Sequence, residues 1–235
     1  MNSHSTPAPT SPPQKEWFGH PPQLSWLFFT EMWERFGYYG MRAILLLYLT
    51  QHFLFRDNVG SGLYGAYTSL VYLTPLFGGL IADRYLGSKR SVKLGAVLMA
   101  MGYLGLCFGG DMAKPKLEYD GKTYAAAVER DGESLRKSVT MDGIKYAVEG
   151  RADGSVQLKA AEGSEGTDRT LEAGSFKFDG ERDPFWVRIM FLSLSAVIVG
   201  NGFFKPNIST MVGSLYATGD ARRDAGFTIF YMGIN

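Results

Sequence analysis

Glu31-Met-Trp-Glu34-Arg35-Phe-Gly-Tyr38-Tyr39-Gly-Met-Arg42 sets four ionisable side chains inside a run that is otherwise apolar and aromatic. The run extends from Leu24 to Leu49. At about 1.5 Å of rise per residue, that is enough to cross a hydrocarbon core of about 30 Å. On a helix, Glu31, Glu34, Arg35, Tyr38, Tyr39 and Arg42 share one side, and Phe28, Trp33, Leu46 and Leu47 fill the rest of the surface. A charge at the bilayer centre costs at least ~2.5–3.5 kcal/mol, so several on one face need a reason. A soluble amphipathic helix would tolerate them, but two further runs of spanning length follow closely. The stretch therefore reads as a helix lining a polar cavity inside a membrane bundle.

Bulk composition hides this. The net charge of +1 points to no nucleic-acid partner. A mean hydropathy near zero averages two unlike populations, because Asp111 to Asp183 holds 28 of the 47 charged residues and its flanks are apolar. Cys107 is the single cysteine, which excludes an internal disulfide. Residues 1–23 lack a basic start, an apolar core and a small-residue cleavage site, so they read as a disordered cytoplasmic tail and not a signal peptide.

Residues 24–111 read as three membrane helices, about Leu24 to His52, Ser61 to Ala82 and Val92 to Gly110. The second is rich in Gly, Ala and Ser, as suits close helix approach in lipid, and Pro75 predicts a kink in it. Asp83 to Arg90 reads as a tight charged turn. A fourth helix starts near Pro184, and a fifth apolar run starts at Ala225 and is cut off at Asn235, so 184–235 reads as helix 4 and a truncated helix 5. Basic residues at Arg84, Lys89, Arg90 and Lys93, and again at Arg222 and Arg223, predict cytoplasmic connections there. The N-terminus is then inside and residues 112–183 are outside. Within those residues, Asp-Gly pairs at 120, 131, 142 and 153 recur every 11 residues, with a fifth at 179. Asp-Gly favours φ > 0 and two-residue hairpin turns, which predicts a β-meander of four or more strands. A calcium-binding repeat is the alternative, and the missing Gly-Gly-x-Gly-x-Asp pattern argues against it.

Four motifs then resemble one family. Glu31-x-x-Glu34-Arg35-Phe36-x-Tyr38-Tyr39-Gly40 is similar to the first-helix signature of the proton-dependent oligopeptide transporters, a branch of the major facilitator superfamily. Gly79 to Arg90, with Asp83, Arg84, Gly87, Lys89 and Arg90, resembles the superfamily's connector between helices 2 and 3. Gly200-Asn-Gly-Phe-Phe-Lys205-Pro206-Asn207 resembles the family's fourth helix, and Phe230-Tyr231-Met-Gly-Ile234-Asn235 the opening of its fifth-helix signature. The resemblance implies an all-α membrane protein of twelve core helices in two halves. Here only the N-terminal portion is expected, about four and a half helices with a β-rich extracytoplasmic insert between helices 3 and 4. The resemblance implies a further six-helix C-terminal half, expected outside this chain.

The resemblance also implies a substrate, a di- or tripeptide moved with protons across the lipid bilayer. A site for such zwitterions needs fixed charges for the termini and roomy pockets for side chains. Arg42 and Lys205 are the candidate partners of the peptide carboxylate, with snorkelling as the alternative for Arg42. Tyr38, Tyr39, Tyr72 and Asn235 complete the candidate binding set. Glu31, Glu34 and Arg35 are candidates for proton coupling, with Lys205 as a partner of either glutamate; a permanent structural salt bridge is the alternative. Asp83 and Arg84 are expected to stabilise a conformation, and Pro206 to loosen the fourth helix. Animal members carry a histidine seven residues before Tyr72, where this chain has Gly65, which shifts coupling onto the glutamates. Two further functions stay open, carriage of nitrate or another small anion, and a membrane anchor for an outward β-domain. No nucleophile–base pair, metal-ligand cluster or phosphate loop is legible, so no enzyme activity, metal or cofactor is expected.

Overall fold

Pro21 and Pro22 open the first helix, where a missing N–H costs nothing because the first turn has no partner for it. In the computed structural model, which describes residues 16–131, 134–161 and 166–234, helix α1 runs over Gln23–Leu47 and ends in a π-helical turn, Tyr48–His52. Helix α2, Asp57–Ile81, ends likewise in a π-helical turn, Ala82–Leu86, and α3 follows at Ser88–Leu106. The charged turn expected at 83–90 is therefore helical almost throughout. Only Gly87, at φ 73°, reverses the chain, a conformation that a residue without Cβ adopts at no steric cost. Helix α4, Pro184–Gly213, is capped by the Asp183 carboxylate, which accepts from Phe185 N–H at 2.8 Å. Helix α5 spans Arg222–Met232.

Two of these helical segments, Asp57–Leu86 and Pro184–Gly213, are long and apolar enough to cross a membrane. Close packing on α4 comes from residues with little side chain. A Cβ on Gly95 of α3 would lie 2.5 Å from the Gly200 carbonyl oxygen, and one on Gly102 would lie 2.7 Å from that of Ser193. Gly78 of α2 sits against the Gly202 carbonyl. That carbonyl is the one Pro206 leaves without its intrahelical donor, so the proline and the glycine opposite act together. One turn away, Thr74 Oγ1 donates to the Ile198 carbonyl at 3.1 Å. Apolar clusters fill the remaining space, one around Leu45, Leu49, Val71, Met190 and Leu194, another around Leu24, Phe204, Ile208, Val212 and Phe230.

Between α3 and α4 lie seven strands, β1 Lys114–Tyr119, β2 Lys122–Asp131, β3 Ser134–Met141, β4 Ile144–Gly150, β5 Val156–Ala160, β6 Arg169–Leu171 and β7 Phe176–Glu181. All pairs are antiparallel, in the order β6-β5-β4-β3-β2-β1-β7, so the last strand folds back onto the first and the sheet curls into a half-barrel. Asp120-Gly121 and Asp142-Gly143 both have positive φ at each residue and form the tight turns expected of them. The fifth Asp-Gly pair does not. Asp179 and Gly180 lie inside β7, where Gly180 is needed because a Cβ there would lie 2.6 Å from Leu54 Cβ. Leu117, Val139, Met141, Tyr146 and Leu158 form the core of the half-barrel.

The half-barrel is clamped to the α1–α2 connector. Arg182 donates to the carbonyls of Phe53 (2.6 Å) and Leu54 (2.7 Å), pairs with Asp179 at 2.6 Å, and stacks 4.3 Å from the Phe55 ring centroid. Burial works against ionisation of Asp179, but the Arg182 hydrogen bond, the Gly180 N–H and Lys177 outweigh it and hold the carboxyl below its usual range.

At the other end of the helices, part of the tail read as disordered is ordered. Trp17 and His20 exchange backbone hydrogen bonds, His20 Nδ1 lies 2.9 Å from Tyr216 Oη, and Glu16 pairs with Arg222 at 3.2 Å. Trp17 and Phe18 supply apolar surface that the Ser/Pro-rich stretch before them lacks; residues 1–15 lie outside the described ones.

Candidate functional site

Three of the four charges in the opening stretch are buried. Glu31 is 1% exposed, Glu34 8% and Arg35 7%. Helical spacing stacks Arg35 one turn beyond Glu31, and Arg35 Nε lies 3.3 Å from Glu31 Oε1. The same nitrogen is 3.1 Å from Glu34 Oε2, close enough to pair in charge but without hydrogen-bond alignment. The fourth member comes from α4. Asn201 Nδ2 donates to Glu34 Oε1 at 3.1 Å and is itself 2% exposed. Glu31 Oε2, Glu34 Oε2 and Asn201 Oδ1 are buried without a hydrogen-bond partner among the described residues.

With both glutamates ionised, two carboxylates face one guanidinium. A buried set one positive charge short is costly, and only another positive charge relieves it. A proton or the Lys205 ammonium could each supply that charge.

Lys205 stands apart from the set. Its expected ion pair with Glu31 or Glu34 is absent among the described residues, and its ammonium lies 5.6 Å from the Tyr72 ring centroid. The physical reason is register: Asn201, one α4 turn before Lys205, occupies the place beside Glu34. Arg42, two turns beyond Arg35, donates from Nε to Tyr64 Oη at 2.6 Å. Tyr38 is buried, in edge contact with Tyr39, and its hydroxyl has no partner among the described residues. Tyr39 and Tyr72 are exposed, on the faces of α1 and α2 that carry Arg42 and Tyr64.

The remaining candidates lie apart. Asp83 and Arg84 sit exposed on the π-helical turn that ends α2, with the Arg84 guanidinium 5.6 Å from the Tyr85 ring centroid. Pro206 packs against Gly79. Asn235 lies outside the described residues. Sequence reasoning missed Asn201 and Tyr64, although a signal existed for each. Asn201 is four residues before Lys205 and Tyr64 eight before Tyr72, so each shares a helix face with a residue already singled out.

The fold is thus a helical bundle with a charged cluster buried between its first and fourth helices and with two helices long and apolar enough to cross a membrane. Comparison makes this specific. The profile of the POT family, PTR2, matches residues 91–235, and the chain belongs to that family. The uncharacterized transporter YclF of Bacillus subtilis is 32% identical over 230 residues, covering 96% of this chain and 32% of its own. The di-/tripeptide transporter of Lactococcus lactis subsp. lactis is 33% identical over 230 residues, covering 94% and 31%. The crystal structure of a peptide transporter, POT, in complex with sulfate is 30% identical with a TM-score of 0.60, again over 94% and 31% of the two chains. A POT family transporter in complex with 5-aminolevulinic acid gives 29% and 0.55. The chain thus spans about a third of the length of the curated relatives it matches.

Proposed function

We propose that this chain is the N-terminal part of a proton-coupled symporter of di- and tripeptides, working by alternating access in a bacterial cytoplasmic membrane. The observation that carries the reading is the buried Glu31–Arg35–Glu34–Asn201 set, with Lys205 one turn from its edge. The names of its relatives support the cargo. In this reading the chain supplies about four and a half of twelve helices. Its N-terminus is cytoplasmic and the half-barrel extracytoplasmic, which rests on the basic residues at the helix 2–3 and 4–5 connections.

The charge deficit then works as a switch. A proton on either glutamate balances Arg35 and leaves Lys205 free for a peptide carboxylate, beside Arg42. When the proton departs, Lys205 is drawn to the carboxylates and releases its substrate. Tyr38, Tyr39 and Tyr72 offer hydroxyls and ring faces to the peptide, and Asn235 an amide to its backbone. Asp83, Arg84 and Pro206 act on the conformational change, not on the cargo.

The test is uptake by the complete protein in proteoliposomes under an inside-alkaline pH gradient. Dialanine accumulates above equilibrium, and Glu34→Gln abolishes that accumulation. Uptake unchanged after collapse of the proton-motive force removes the coupling, and nitrate competing as well as dipeptide changes the cargo to a small anion.

A further inference from the structure

A cleft of about 300 Å³ lies between the half-barrel and the α1–α2 connector. Leu54, Arg56 and Asp57 line one side, and Val128, Lys137 and Phe178 the other. Register explains the second wall. Val128 pairs with Lys137 and Phe178 with Leu117, while Val139 lies two residues from Lys137 on the same face. Leu117 and Val139 are core residues, so strand alternation turns Val128, Lys137 and Phe178 inward too, at the rim of the core.

The charges around the cleft are unevenly used. Asp179 at its edge is already held by Arg182 at 2.6 Å and Lys177 at 3.4 Å. Arg56, Asp57 and Lys137 have no ion-pair partner among the described residues; the Lys137 ammonium only lies 5.9 Å from the Phe178 ring centroid. Two available cations and one available carboxylate thus face each other over an apolar floor of Leu54, Val128 and Phe178. The volume falls at the small end of small-molecule sites, roughly 300–1,000 Å³. Arg182, bonded to both walls, keeps them in register.

We infer that the half-barrel and the α1–α2 connector together form a capture site for short zwitterionic peptides, ahead of the central site. The peptide carboxylate meets Arg56 and Lys137, its ammonium meets Asp57, and its side chains lie against Val128 and Phe178. Exposed ion pairs are individually weak, so the site binds in the millimolar range and releases quickly. The inference rests on the peptide reading proposed above.

Cysteine protection tests it in the complete protein. With the exposed Cys107 removed by Cys107→Ala, Val128→Cys places a thiol at the rim, reached by a membrane-impermeant maleimide. Millimolar trialanine slows its labelling several-fold. Protection persists when the central cations are removed by Arg42→Gln and Lys205→Gln, and is lost with Arg56→Gln and Lys137→Gln together. Labelling that trialanine leaves unchanged overturns the inference. So does protection that survives the Arg56/Lys137 pair, protection that vanishes with the central pair, or protection conferred by phosphatidylethanolamine vesicles alone. Dialanine uptake by the same Val128→Cys protein separates the two readings: uptake without protection sinks the capture site alone, and protection without uptake sinks transport.

Discussion

Removing Arg35 separates a switch from a permanent brace. Its Nε lies 3.3 Å from Glu31 and 3.1 Å from Glu34, and all three side chains are at least nine-tenths buried. Arg35→Gln keeps the size of the side chain roughly and leaves two carboxylates without a cation. Breaking a buried pair in this way costs ~3–5 kcal/mol, because the remaining charge is stranded in a low dielectric. Neutralising the whole set with Glu31→Gln, Glu34→Gln and Arg35→Gln strands nothing, and neutral amides can bond to each other and to Asn201. The apparent melting temperature in detergent should therefore fall sharply in the single variant and largely recover in the triple. Transport should not follow stability. A set that matters by exchanging a proton cannot do so without its carboxylates, so gradient-driven dialanine accumulation stays at background in the triple variant. The refuting result is a triple variant that regains both stability and accumulation, since a structural salt bridge behaves in that way.

Two further perturbations bear on the scaffold. Arg182→Met keeps the stem over Phe55 but loses two bonds to carbonyls and the ion pair with Asp179, and should open the 53–56 connector to protease while α4 stays protected. Acid should act similarly on the intact protein: the folded-state carboxyl of Asp179 titrates below the ordinary aspartate range, so its contribution is present above about pH 4 and is lost as pH falls through the lower folded value. Connector proteolysis that already rises between pH 7 and pH 5 would contradict that assignment. In the membrane helices, Gly78→Val drives a branched side chain into the Gly202 carbonyl, and overpacking of this kind costs ~1–3 kcal/mol or more. The variant should melt earlier and lose uptake, whereas Gly62→Ala, with open space around it, should do neither.

What could be read from the sequence was whatever one helix or strand determines by itself. The charged face of α1 follows from spacing within a single element, and so do the β-turns at Asp120 and Asp142, where the dipeptide alone sets φ. Contacts between elements were not legible in the same way. Glu34 takes its hydrogen bond from Asn201 on α4, and nothing in either segment says which α4 residue arrives opposite it; Lys205, the expected partner, stands one helical turn further along. Asp179-Gly180 misled for a related reason. The pair has the composition of a turn, but its glycine is required by the approach of Leu54, more than a hundred residues earlier in the chain.

That one-turn offset is itself informative about mechanism. Asn201 and Lys205 stand four residues apart on the same face of α4, the first bonded to Glu34 and the second against Tyr72. An amide beside Glu34 satisfies a lone pair without supplying charge, so the buried set keeps its deficit as long as Asn201 holds that position. A shift of α4 along α1 by about one turn, roughly 5.4 Å, would exchange amide for ammonium. The glycine contacts oppose such a slide, because the Cβ positions of Gly78, Gly95 and Gly102 already meet α4 backbone and a one-turn shift would drive side chains such as Phe204 into the same notches. Movement of the Lys205 side chain, and not sliding of α4, is therefore the economical way for the proposed switch to bring its ammonium to the glutamates. Lys205→Gln should then leave the melting temperature in detergent nearly unchanged while abolishing gradient-driven dialanine accumulation, and full accumulation in that variant would refute the Lys205 step.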